Sequence, residues 1–485
     1  MGNTQSGISL DRHHFFIGGE WVSPSSNSTF KIVDASSEVQ IAVVPEGQKA
    51  DIDRAVAAAR KAFDGGSWRE TTPQDRAALL RRLGEEMKKR EADLTSLVSR
   101  QNGMPIWLSG LFERDVASGL CDYYASLIDA STQDEKRPSQ LGRETIVSRE
   151  PMGVVAAIVP WNYPVTLAMT KIAPALAAGC TLVIKPSPGT VLDSYVLAEA
   201  AQAAGIPAGV INWVAADRDV GAYLVSHPGV DKVAFTGSTA AGRIVARECG
   251  QLLRPVTLEL GGKSAAVVLD DADLNLFVER LPLASFLNNG QTCFASTRIL
   301  APRSRYKEVV DAVTSTASKL KVGNALEADT QIGPMASQAH RQRVESYIEL
   351  GRSEGKITTG GGRPGSLKKG WFVEPTVFMD VSNDARIAKE EIFGPVVAII
   401  PYDNDADAVR IANSSEFGLG GTVWGKDESR ALAVAKRVST GTIGINGYAP
   451  AVGSPFGGVK ASGMGRELGP EALQAYLQYK STYVM

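Results

Sequence analysis

The run Asn288-Asn289-Gly290-Gln291-Thr292-Cys293-Phe294 places a cysteine directly after a polar, glycine-containing stretch. A thiol is partly ionised near neutral pH and intrinsically nucleophilic, so Cys293 is the strongest candidate for a covalent nucleophile. Most free cysteines are buried and inert, so the residue decides nothing alone. The other cysteines, Cys121, Cys180 and Cys249, are scattered and form no Cys-x-x-Cys pair. That spacing argues against a disulfide framework and for a reducing compartment, so a cytoplasmic location is expected. The histidines His13, His14, His227 and His340 supply no zinc-type spacing, and no metal is expected.

The chain that must position this thiol has 485 residues, of which 44% are hydrophobic, and a formal net charge of -2. Such a length supports a large core and about two to four domains. The near-neutral balance, without a basic stripe, argues against nucleic-acid and anionic-membrane partners. No apolar run is long enough to span a bilayer. The amino terminus is polar and lacks a signal-type apolar core. Met1-Gly2 with Ser6 matches a myristoylation signal only faintly and is read as chance.

Periodicity predicts a hairpin turn over 16–21 and helices over 51–63, from Pro73 through Met87, over 91–98 and over 107–128, with Asn102-Gly103 as a break. Residues 129–140 read as a linker or crossing segment, and 145–150 as a strand, a candidate oligomerisation ribbon. From residue 153 short apolar strands alternate with helices: strands at 154–159, 181–184, 210–214, 232–235 and 256–260, helices at 165–178, 194–203, 219–226 and 240–249. This pattern predicts a doubly wound α/β domain that binds ligands beyond the carboxyl ends of its strands. Lys185, Ser187, Gly237 and Ser238 fall at such ends, where helix-start N–H groups suit a pyrophosphate. Neither Gly-x-Gly-x-x-Gly nor the P-loop pattern is present, so a ligand-free sheet stays open on pattern alone. A further α/β block follows, with strands at 265–269, 298–300, 396–402 and 421–424, and 473–485 reads as a terminal strand.

Taken in order, several motifs resemble the NAD(P)-dependent aldehyde dehydrogenase superfamily over nearly the whole chain. They are Pro160-Trp161-Asn162-Tyr163-Pro164, Phe235-Thr236-Gly237-Ser238-Thr239, Leu258-Glu259-Leu260-Gly261-Gly262-Lys263 and Gly290-Gln291-Thr292-Cys293, then Glu391-Ile392-Phe393-Gly394-Pro395 and Pro455-Phe456-Gly457-Gly458. The resemblance implies two doubly wound α/β domains plus a small β oligomerisation extension. It assigns 1–128 and 149–258 to a cofactor-binding domain, 259–455 to a catalytic domain, and 129–148 and 470–485 to oligomerisation segments. It implies a homodimer or homotetramer, and a cofactor fold that lacks the usual glycine fingerprint.

By the same resemblance, Cys293 is the nucleophile, Glu259 the general base, and Asn162 an oxyanion donor beside the Cys293 N–H. Lys171 and Glu467 match the family's helix lysine and late acidic residue. Cofactor contacts map to Ile158, Trp161, Lys185, Ser187, Gly237, Ser238, Glu391 and Phe393. The aldehyde pocket maps to Phe112, Val116, Tyr163, Leu167 and Thr170, and to Thr292, Phe294, Tyr448 and Phe456. NAD is expected, with NADP left open, because Pro188 stands where many NAD-preferring members carry an acid. The apolar lining, without an arginine, favours an uncharged aliphatic, terpenoid or aromatic aldehyde. Transfer of the thioester to CoA, a thiol hydrolase and a noncatalytic role are the competing readings. Glu259 favours water over CoA, and a thiol hydrolase normally needs a histidine base.

Overall fold

The computed structural model describes residues 10–131 and 134–485, so the Met1-Gly2 signal lies outside the described residues. Strands Val154–Ile158, Thr181–Lys185, Ile211–Trp213, Lys232–Thr236 and Val256–Glu259 run parallel at the centre of an eight-stranded sheet. The hairpin Phe15–Ile17 and Glu20–Val22 closes one edge, and Gly463–Met464 pairs antiparallel at the other. Helices Pro164–Ala178, Leu192–Ala203, Arg218–Ser226 and Thr239–Gln251 form the crossovers. Val154–Ile158 and Thr181–Lys185 are buried at every position. That is why they read as continuous apolar runs rather than alternating ones.

Register brings the carboxyl ends level. Ile158 pairs with both Lys185 and Phe235, and Thr236 pairs with Glu259. A second, seven-stranded sheet has the order Lys356–Thr359, Thr376–Met379, Val396–Tyr402, Arg298–Pro302, Ala265–Val268, Gly421–Trp424, Gly444–Ile445. Residues 260–264 join the carboxyl end of one sheet's strand to the amino end of the other's. Cys293 and Glu391 likewise sit in loops entering the second sheet, before Arg298–Pro302 and Val396–Tyr402. The two sheets therefore meet carboxyl end to amino end, and the chemistry-bearing loops fall between them.

A third sheet pairs Leu477–Val484 with Glu144–Pro151 and Glu135–Pro138. Part of the expected linker over 129–140 is therefore a strand. Glu135–Pro138 is exposed throughout and charged, as an edge strand can be, so it carries no apolar alternation. The expected terminal strand over 473–485 is shorter: a helix, Gly469–Gln474, comes first, begun by Pro470 at its start. The hairpin of Thr29–Val33 with Gln40–Pro45, and the strand Thr376–Met379, were not expected from periodicity. Among the described residues no helix is long and apolar enough to cross a membrane.

Candidate active site

The loop Trp161-Asn162-Tyr163 leaves the carboxyl end of Val154–Ile158 and enters the helix Pro164–Ala178. Asn102 Nδ2 donates to the carbonyls of Trp161 and Asn162, each at 3.1 Å, and Asn288 Nδ2 donates to Asn162 O at 2.8 Å. Asn162 Nδ2 donates to Gln291 O at 3.1 Å. That bond uses one of two amide hydrogens and sets the direction of the other. The side chain thus reaches across to the Cys293 loop rather than capping its own helix.

The loop before Cys293 is bent into the left-handed region, with φ of 51° at Asn288, 61° at Asn289 and 76° at Gly290. Asparagine tolerates this region better than most residues, and here its side chains also pin the bend. Asn289 Nδ2 donates to Gly103 O at 2.8 Å and Pro334 O at 2.9 Å, while Oδ1 accepts from Gly333 N–H at 2.6 Å. Gln291 Nε2 donates to Asn102 O at 3.1 Å. Thr292 Oγ1 donates to Leu287 O at 2.9 Å, so its single proton is used. The 2.8 Å contact with Tyr163 is therefore donated by the phenol.

Cys293 faces a cleft of about 570 Å³ shared with Trp161, Asn162, Gly237, Ser238, Glu259, Glu391 and Phe393. Burial pushes its thiol pKa up, and the Glu259 and Glu391 carboxyls add to the shift. Glu259 is 3% exposed, and among the described residues neither carboxyl oxygen has a hydrogen-bond partner. Burial, then Glu467, drive its pKa well above the usual carboxylate range, against Lys171 and Arg466. Glycines make room for the pair: a Cβ at Gly457 would lie 2.5 Å from Glu259 Oε1, and one at Gly262 would lie 2.4 Å from Cys293 O.

A family model described as "Aldehyde dehydrogenase family" matches residues 21–482. A geranial dehydrogenase of Castellaniella defragrans is 57% identical over 478 residues, 99% of this chain and 100% of its own length. The chain belongs to the aldehyde dehydrogenase family. A Mycobacterium tuberculosis aldehyde dehydrogenase solved with NAD+ superposes with a TM-score of 0.96 at 44% identity, covering 99% of each chain. Aldehyde Dehydrogenase C of Pseudomonas syringae, a mutant solved with NAD+ and octanal, gives 0.93 at 38% identity, covering 97% of this chain and 96% of its own. Membership makes the protein an oxidoreductase acting on aldehydes.

Within this dehydrogenase fold, Lys171 Nζ donates to Glu467 Oε1 at 2.6 Å and to Thr236 Oγ1 at 2.7 Å. Thr170 Oγ1 donates to Glu467 Oε2 at 2.9 Å, so Thr170 belongs to this ion pair as much as to a pocket wall. Phe112 meets Tyr163 edge-on at 5.2 Å, and Phe294 stacks on Tyr448 at 4.6 Å and meets Phe456 at 6.1 Å. Leu167 is partly buried against the same core, and Val116 lies on the segment that carries Phe112. Ile158 and Lys185 lie level at the carboxyl ends of adjacent central strands, and Ser187 follows in the next turn. Lys185 Nζ donates to Ala216 O at 2.8 Å and Pro186 O at 3.1 Å, and burial lowers its pKa to about 8. The Ser187 carbonyl accepts from Thr190 N–H at 3.2 Å in the turn that follows.

Several residues of the site were not expected from sequence. His340 Nε2–H donates to Phe393 O at 2.7 Å, and Arg343 Nη2 donates to Glu391 O at 2.7 Å. Together they hold a loop in which Phe393 has φ of 65°. Asn102, Asn288 and Asn289 are structural anchors. Only the Asn102-Gly103 pair gave a local signal, and that signal reads as a helix stop. Glu113 is fully buried beside the start of the Asn162 helix, and nothing in its local sequence marks it.

Proposed function

We propose that the chain oxidises an uncharged, apolar aldehyde to its carboxylic acid with NAD+, through a thiohemiacetal and a thioester on Cys293. The observation that carries this is the buried carboxyl of Glu259, without a hydrogen-bond partner, in the same cleft as Cys293 and Asn162. A carboxyl with a raised pKa is matched to taking a proton near neutral pH.

The cleft suits a dinucleotide. Glu391 Oε1 accepts from Gly262 N–H at 2.9 Å, which orients the carboxyl to receive ribose hydroxyls. Gly237 and Ser238 stand at the start of helix Thr239–Gln251, where N–H groups favour a pyrophosphate. A Cβ at Gly261 would lie 2.5 Å from Glu391 Oε2, so glycine there keeps the carboxyl in place. When bound, the nicotinamide supplies the hydride acceptor.

Glu259 takes the thiol proton, and the Cys293 sulfur forms a bond to the aldehyde carbon. The carbonyl oxygen becomes negative and is met by the second Asn162 amide hydrogen and the Cys293 N–H, each worth about 3 kcal/mol when well placed. Collapse of that oxyanion expels hydride and leaves a thioester. Glu259 releases the thiol proton to solvent, and as a carboxylate again it removes a proton from water as the water oxygen attacks the thioester carbon. The carbon–sulfur bond breaks, and the thiolate is reprotonated. One aldehyde, one water and one NAD+ give the acid, NADH and a proton.

The aromatic wall of Phe112, Tyr163, Phe294, Tyr448 and Phe456 supports an apolar substrate, as do the geranial dehydrogenase relative and the octanal complex. A homo-oligomer built on the third sheet completes the reading, since Tyr479 and Tyr483 there are 60% and 74% exposed. The deciding experiment is a panel of aldehydes run with NAD+ and NADP+, following reduced-cofactor absorbance and free acid. Geranial or octanal with NAD+ is expected to give the highest kcat/KM. Preference for a dicarboxylic semialdehyde or for NADP+ rejects the corresponding part, and acyl-CoA as product rejects the hydrolytic step.

A further inference from the structure

The helix Pro164–Ala178 starts two residues after Asn162 and carries Leu167, Thr170 and Lys171. The first N–H groups of a helix need partners from outside it, and this helix start is buried, with Val165 0% and Thr166 8% exposed. Tyr163 at the N-cap makes no side-chain cap, and its hydroxyl bonds Thr292. The partner comes from elsewhere in the chain. Glu113 Oε2 accepts from Val165 N–H at 2.6 Å and Thr166 N–H at 3.1 Å, and Thr166 Oγ1 donates back to Phe112 O at 2.7 Å. Glu113 lies in a stretch of π-helix, Gly110–Val116, flanked by α-helix. Such interruptions are rare and recur at functional sites. This one presents the Phe112 carbonyl and the Glu113 carboxyl to the same helix start.

We propose that Glu113 is a positioning residue: by capping the helix that begins at Pro164, it fixes the Asn162 amide relative to Cys293. The inference rests on the aldehyde-oxidising reading of that site. Upstream, the Asn162 loop is held at its carbonyls by Asn102 and Asn288. Immediately downstream, its N–H groups at residues 165 and 166 are held by Glu113. Loss of the second anchor lets Tyr163 and Asn162 shift together, because Tyr163 packs on Phe112 next to Glu113. Among the described residues Glu113 Oε1 has no hydrogen-bond partner while Oε2 accepts from the helix start, so a glutamine keeps the accepting oxygen and is the conservative replacement.

The test is a double-mutant cycle on the full chain. Glu113→Ala is expected to lower kcat about 100-fold, the loss a displacement of about 1 Å can cause, with KM for NAD+ unchanged. Glu113→Gln is expected to restore turnover to near wild type. In an Asn162→Ala background, Glu113→Ala is expected to lower kcat no further, because both act through one amide. Hydrogen exchange at Val165 and Thr166 is expected to accelerate in Glu113→Ala. Should that variant fail to fold, Glu113→Asp, one methylene shorter, takes its place. An additive cycle, or exchange at those amides left unchanged, overturns the proposal alone. A wild-type chain that forms no NADH from any aldehyde overturns the functional reading and this inference with it.

Discussion

Glu259 and Glu467 are both 3% exposed and close enough that Glu467 raises the Glu259 pKa, yet their surroundings are opposite. Around Glu467, Lys171 and Thr170 supply hydrogen bonds to both oxygens. Around Glu259, neither oxygen has a hydrogen-bond partner. Burying a carboxyl unpaired is costly, and proteins keep such groups where the cost serves function. One region spends its polar groups on holding shape; the other leaves a carboxyl unpaired, as the proposed proton transfers require. The ion pair contributes to the reactive region in turn, because Lys171 offsets part of the upward shift at Glu259.

The sharpest way to break this contrast is to remove the nucleophile. Cys293→Ala is expected to reduce aldehyde-dependent NADH formation to background while the circular-dichroism spectrum and NAD+ binding persist. Full turnover by that variant would sink the assignment. Next in size, Glu259→Gln is expected to lower kcat by about 100- to 10,000-fold, the range for loss of a general base. In the wild type, kcat/KM is expected to rise with pH above about 4.3, the ordinary glutamate value, as the raised Glu259 carboxyl loses its proton. The Glu259→Gln variant is expected to lack that limb of the profile.

The saturated region answers in stability instead. Glu467→Gln leaves the Lys171 ammonium buried without its counter-charge, and a loss of about 3–5 kcal/mol is expected from denaturant melts. Replacing both partners, as Lys171→Met with Glu467→Leu, is expected to recover most of that stability but not activity. Equal losses in the single and double variants would remove the distinction drawn here.

A smaller effect concerns Glu113 and Asp193, whose pKa values burial raises to about 8 and about 7. In the unfolded chain both lose their protons near pH 4 to 4.3, roughly the free-residue values. Between those limits the folded chain binds more protons, so stability falls as pH rises from about 4 to about 8. Glu113→Gln is expected to flatten this slope in melts taken across that window. Smallest of all, Lys307→Ala removes an exposed pair with Asp311 and is expected to leave the melting temperature unchanged.

Much of this was readable before any fold was known. Buried parallel strands are apolar along their length, so the alternation after residue 153 marked the first sheet's centre. Where that signal was absent, as in the charged edge strand Glu135–Pro138, the reading missed the element. The motif around Cys293 marked a candidate nucleophile, but not why its loop is built as it is. Asn289 bonds carbonyls 186 and 45 residues away in the chain, and Glu113 caps a helix 52 residues on. A helix cap is normally supplied within a few residues, so local reading looks for it at Tyr163 and finds an aromatic instead.

The sequence by itself determined the alternating elements, the thiol and the order of motifs that place this chain in its family. These are properties of residue type and spacing along one dimension. Tertiary structure alone decided which polar atoms stay unsatisfied. Glu259 and Glu467 carry the same side chain, and only the partners brought from distant segments leave one saturated with hydrogen bonds and the other buried without them. Lys185 shows the same rule, because its place at a strand end was legible while the Ala216 carbonyl that accepts from its ammonium, 31 residues on, was not.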